Sequence, residues 1–119
     1  METKSRTLEL CLQGIDAEFQ RCIDDARGLY RAAWEAVEDD YDACVAAHYI
    51  AHLEPDPHRA HEWNLEALRR ADAVADDRVT SFYPSLYVNL GRSFELMGDH
   101  EKSAEFYAKA EGLGLKHQG

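Results

Sequence analysis

Leu8, Cys11, Leu12, Ile15 and Phe19 recur every three or four residues, the interval that places side chains on one face of a helix, and predict a first helix from about Thr7 to Gln20. Asp24 and Asp25 form a start signal for a second, whose apolar stripe of Ala26, Leu29, Tyr30, Ala33 and Val37 ends near Glu38. Asp39 and Asp40 supply the negative charge favoured at a helix start and open a third helix through Cys44, Ala47, Tyr49, Ile50 and Ala51 to Leu53, with Pro55 as its stop. Asp56 can cap a fourth helix that carries Pro57 in its first turn, where a missing N–H does no harm, and buries Ala60, Trp63, Ala67, Ala71 and Val74. The polar run Ala75 to Arg78 breaks the pattern. Thr80 or Ser81 is then positioned to cap a fifth helix with Pro84 in its first turn and Leu86, Leu90, Phe94 and Met97 along one face. Gly98 suits the left-handed turn that ends helices, Asp99 restarts the chain, and Ala104, Tyr107, Ala108 and Ala110 mark a sixth helix ended by Gly112 and Gly114. Residues 113–119 lack periodicity and are expected to form a flexible tail.

A longer period overlies these helices. Shifting the chain by 34 places brings Ala17, Ala26 and Ala33 onto Ala51, Ala60 and Ala67, and such a period indicates helical hairpins that stack to bury a shared core. A third copy is displaced by 43 residues, which the long fourth helix and the linker from Asp77 to Ser81 would absorb.

The third copy carries Tyr87, Leu90-Gly91, Phe94, Gly98-Asp99, Ser103, Tyr107 and Ala110, and in these residues it resembles the tetratricopeptide repeat. The earlier copies depart from that pattern: Leu-Gly becomes Gln13-Gly14 and then Ala47-His48, and the late aromatic is Tyr30 and then Asn64. The resemblance implies an all-α domain, a right-handed superhelical stack of three antiparallel hairpins over about 7–38, 39–76 and 80–112. It implies a non-enzymatic protein- or peptide-binding scaffold with a concave groove lined by the first helix of each hairpin. Carried onto this chain, the groove positions are Asp42, Val45, Tyr49 and His52 in the second hairpin and Ser85, Val88, Asn89, Arg92 and Glu95 in the third. Asp42, Tyr49, His52, Asn89, Arg92 and Glu95 are thus the candidate partner contacts, alongside the alternative of a solvated helix face. The matching first-hairpin positions Leu8, Cys11, Leu12, Ile15 and Phe19 are apolar, to be covered by a partner, by a second copy or by packing within the monomer.

Composition narrows the partners. The 119 residues carry a formal charge of −10, a field that repels nucleic-acid phosphates and favours a basic partner. No run of 18 apolar residues suggests a membrane span, and the opening Met-Glu-Thr-Lys-Ser-Arg lacks the apolar stretch of a signal peptide, so a cytoplasmic protein is expected. Cys11, Cys22 and Cys44 have no metal-type spacing and fit reduced thiols. Abundant Ala and Asp with Arg in excess of Lys suggest a bacterial source.

Glycine-rich phosphate loops, nucleophile elbows and HExxH are absent, so no catalytic residue and no cofactor are assigned. The histidines His48, His52, His58 and His61 leave two readings open: imidazoles gathered around the Pro55 turn as metal ligands, or, for His48 at a close-packing position, a buried hydrogen-bonded ring. Trp34 and Trp63, on second helices, are expected as wedges between hairpins, with an exposed partner contact as the alternative. Three repeats with unfinished ends also allow a homo-oligomer.

Overall fold

The computed structural model describes residues 5–113. They form seven helices: α1 (Arg6–Phe19), α2 (Ile23–Glu35), α3 (Asp40–Leu53), α4 (Pro57–Val74), α5 (Asp77–Thr80), α6 (Tyr83–Leu96) and α7 (His100–Gly112), with no strand among the described residues. The boundaries follow capping chemistry. Side chains of Ser5, Asp39, Asp56 and Asp99 accept from backbone N–H groups of the first turns of α1, α3, α4 and α7. Asp24 and Asp25 lie within the first turn of α2, where they meet the positive end of its dipole, while Cys22 occupies the cap position without a side-chain bond. At the other ends, Gly98 takes φ 86° and the Asp99 N–H returns to the Phe94 carbonyl at 2.9 Å, closing α6.

The most extensive contacts join α1 to α2, α3 to α4 and α6 to α7, each pair linked by three residues (20–22, 54–56, 97–99). Lesser contacts join α2 to α3, α1 to α3 and α4 to α6, giving an elongated body of 42 × 31 × 21 Å. One core gathers Leu10, Cys11, Ala26, Tyr30, Ala33, Val45, Ala46 and Ile50 between the first two pairs. A second gathers Cys44, Ala47, Ala67, Ala71, Val79 and Leu86 between the last two. The alanines of the 34-residue period are therefore packing contacts: Ala26, Ala33 and Ala67 are fully buried. Trp34 and Trp63 meet edge to face, ring centres 4.9 Å apart, as a wedge between α2 and α4.

The chain departs from the expected six helices at the 75–82 junction. Ala75 adopts a left-handed φ of 51°, Asp76 caps the Arg78 N–H and holds its guanidinium, and this nucleates the single turn α5. Val79, 1% exposed, anchors that turn in the second core. Thr80 and Ser81 consequently do not cap the next helix; α6 begins after Phe82, with no side-chain cap and with Pro84 in its first turn. Gly114 and most of the expected tail, residues 114–119, lie outside the described residues.

Candidate functional site

Two adjoining cavities meet beside α3 and α6, the first closed by α1 and the second by α4. The first, about 230 Å³, is walled by Leu8, Cys11, Leu12 and Ile15 of α1, by Tyr41, Cys44, Val45, His48 and Tyr49 of α3, and by Phe82, Ser85 and Leu86. Of the apolar first-hairpin residues, Cys11 is buried in the first core with Leu8 and Ile15 packed against it, so these pack within the monomer, while Leu12 stays 49% exposed at the lip and Phe19 borders a shallow extension with Ile15, Glu18 and Tyr49. The second cavity, about 390 Å³, is more polar than the first but has a mixed lining: it includes His48, His52, Asn64, Ser85, Asn89, Arg92 and Ser93 together with Ala51, Pro55, Ala60 and Leu96. His48 and Ser85 line both, so the two volumes meet at these side chains.

Of the six candidate partner contacts, Tyr49, His52, Asn89 and Arg92 line these cavities. Tyr49 stacks on Tyr30 with ring centres 5.1 Å apart, which fixes its orientation. His52 Nε2 lies 3.0 Å from a Glu18 oxygen, and the second Glu18 oxygen accepts from the Tyr30 hydroxyl. Asn89 Nδ2 lies 3.4 Å from His48 Nδ1. Burial, reinforced by neighbouring His52, pushes the His48 pKa down and keeps the ring neutral at pH 7.

Asp42 and Glu95 do not line either cavity. Asp42 is 3% exposed; it accepts from the Ser5 hydroxyl at 2.9 Å and the Glu38 N–H at 3.2 Å, tying the start of α1 to the α2–α3 connection. Glu95 accepts from the Tyr107 hydroxyl at 3.1 Å and braces α6 against α7.

The histidines do not converge as ligands. His48 faces Asn89, His52 faces Glu18, His61 bonds Ser93 and packs edge-on against Phe94, and His58 is exposed. Among the described residues no group of three or more His, Cys, Asp or Glu side chains is arranged to hold a metal ion. α3 and α4 carry the imidazoles to different neighbours, so proximity at the Pro55 turn does not become coordination.

Two of the three free cysteines, Cys11 and Cys44, are buried, and Cys22 is exposed. Burial, with Asp42 adding to it, pushes the Cys11 thiol up to about 12, and burial pushes Cys44 up to about 11, so both stay protonated. Ser93 contacts His61 but stands mid-helix, where backbone N–H groups are consumed by the helix and cannot form an oxyanion hole beside it. Burial also lowers the His61 pKa, which weakens it as a base. The buried Asn64 was read in the sequence only as a lost aromatic; its composition signal was the replacement of tyrosine by a small amide.

No helix among the described residues is long and apolar enough to cross a membrane. No protein-family model matches the chain, and no curated protein is significantly similar to it.

Proposed function

We propose that this chain is a non-enzymatic, cytoplasmic interaction module, a tetratricopeptide-like right-handed stack of three hairpins that binds a peptide or a segment of a partner protein along the α1, α3 and α6 face. The observation that carries the reading is the junction of an apolar groove with a polar cavity at His48 and Ser85. Such a surface suits an extended segment that buries one or two apolar side chains, each worth about 1.5–3 kcal/mol, and is oriented by polar groups beside them. The formal charge of −10 would steer a partner with basic flanks, making association faster at low salt.

Peptides selected from a random library on the intact protein provide the test. Leu12 at the apolar lip and Arg92 at the polar rim are both exposed, so Leu12→Asp with Arg92→Glu should leave the helical circular dichroism unchanged. Binding of the selected peptides should weaken at least about tenfold, given the loss of one apolar anchor and one charge contact. Undiminished binding would sink the groove reading.

A further inference from the structure

We infer that the shallow extension beside the apolar groove is a pocket for an arginine side chain of the bound segment; this rests on the groove reading above. Four residues line it: Ile15, Glu18 and Phe19 of α1 and Tyr49 of α3. Phe19 is 83% exposed, the most open large apolar side chain among the described residues, and it shares the depression with the Glu18 carboxylate. Ile15 and Tyr49 also line the apolar groove, so the two volumes adjoin at these side chains. A segment anchored in the groove can therefore send a neighbouring side chain to Glu18.

Charge and ring chemistry select the occupant. Among the described residues Glu18 is the only charged side chain lining the depression, and with 22% of that side chain exposed it is partly shielded from water. One of its oxygens lies 3.0 Å from His52 Nε2 and the other accepts from the fully buried Tyr30 hydroxyl, which fixes the carboxylate in place. A carboxylate offers about four acceptor sites, so about two remain. Elsewhere the chain twice fills a corner of carboxylate and ring with its own arginine. Arg70 pairs with Glu66 at 2.7 Å and Asp40 at 2.8 Å and lies 5.8 Å from the centre of the Trp34 ring. Arg78 pairs with Asp76 at 3.0 Å and lies 5.0 Å from that of Tyr41. At Glu18 and Phe19 the same two components stand together, and no arginine of the described residues occupies them. A guanidinium suits both, donating in its plane to the carboxylate and laying its face on the ring. The ammonium of lysine has no plane to stack, and a carboxylate would meet Glu18 as a like charge.

Random linear peptides selected on the full chain should show Arg enriched at one position fixed relative to an apolar anchor. A synthetic peptide with that Arg should bind about tenfold more tightly than its citrulline counterpart, which keeps the shape and loses the charge. The comparison is made at about 0.15 M salt, where charges more than roughly 8 Å away are largely screened. Phe19→Ala, at a side chain already in solvent, should cut the preference to about threefold. Glu18→Gln should cut it as far by weakening the Arg peptide while changing the citrulline peptide less than about twofold; should that variant fail to fold, Phe19→Ala decides alone. A preference that stays at about tenfold in Phe19→Ala, or a Glu18→Gln variant that weakens both peptides alike, would overturn the assignment. Selected peptides that share the apolar anchor but lack Arg, or scatter it over many positions, would overturn the arginine pocket and leave the groove reading standing. Selection of no peptide at all would overturn both.

Discussion

In the first and third helix pairs a glycine faces a tyrosine, Gly14 against Tyr30 and Gly91 against Tyr107; in the middle pair the equivalent positions hold His48 and Asn64. A Cβ on either glycine would stand 2.7 Å from the Cδ1 of its tyrosine, so each ring lies directly on the bare backbone of the facing helix. A glutamate one turn after each glycine, Glu18 or Glu95, accepts from the tyrosine hydroxyl. The middle pair moves the bulk to the other helix: His48 supplies a ring on α3 and Asn64 is short on α4. His52 stands where the glutamate would be and turns to Glu18 of the first pair instead. The exchange preserves close helix contact while replacing a ring-filled junction by a polar cavity. Departure from the repeat and location of the candidate site coincide, as expected where function is served at the expense of regular packing.

The sharpest way to break the comparison is to rebuild the outer pattern in the middle. Asn64→Tyr alone adds a ring beside His48 and should destabilise the fold by about 2–3 kcal/mol through overpacking. Adding His48→Gly should recover at least about 1 kcal/mol of that loss, a coupling of the size seen for contacting residues. Urea unfolding of the wild type, both single variants and the double variant measures it. Strict additivity would show that the two positions do not exchange volume across α3 and α4.

A second test separates the two outer pairs from each other. Gly14→Ala must displace Tyr30, which is fully buried and held by Glu18 and the Tyr49 stack, and a net loss of about 1–2 kcal/mol is expected after the gain in helix propensity. Tyr107, though held by Glu95, is only half-buried at the end of the stack, so Gly91→Ala should cost less, about 0.5–1 kcal/mol after the helix gain. Equal losses at the two positions would show that exposure of the facing ring does not set the cost.

How much of this was legible in the sequence depends on the range of the interaction. The starts of α3, α4 and α7 could be read because Asp39, Asp56 and Asp99 act on N–H groups two or three residues away. The apolar face of α1 could be read from periodicity alone. α5 could not: its stability comes from Val79 entering a core built by α3, α4 and α6, and no local pattern announces that contact. The burial of Asp42 could not be read either, because its partners, Ser5 and Glu38, come from outside α3. The bond of Glu95 to the Tyr107 hydroxyl, made across the pair from the opposite helix, was equally out of reach of a local pattern. The loss of Tyr at position 64 was visible, but that the asparagine is buried and faces open volume is a property of three helices together.

The smallest effect expected is a pH dependence confined to the helix pair that carries His48. His48 and His61 both have pKa values lowered from 6.5, chiefly by burial, so the folded state binds fewer protons than the unfolded state as pH falls through and below that value. Stability from the neutral rings is complete above the unfolded pKa and declines as pH drops towards the folded ones. The melting temperature should therefore fall between pH 7.5 and pH 5.5, before most carboxylates titrate, and the fall should shrink in a His48→Gln, His61→Gln variant. Thermal melts across that interval decide the matter: a flat profile in the wild type, or an undiminished slope in the variant, would separate these two rings from any pH response and leave the cavity's packing, rather than its protonation, as the distinction between the middle pair and the outer ones.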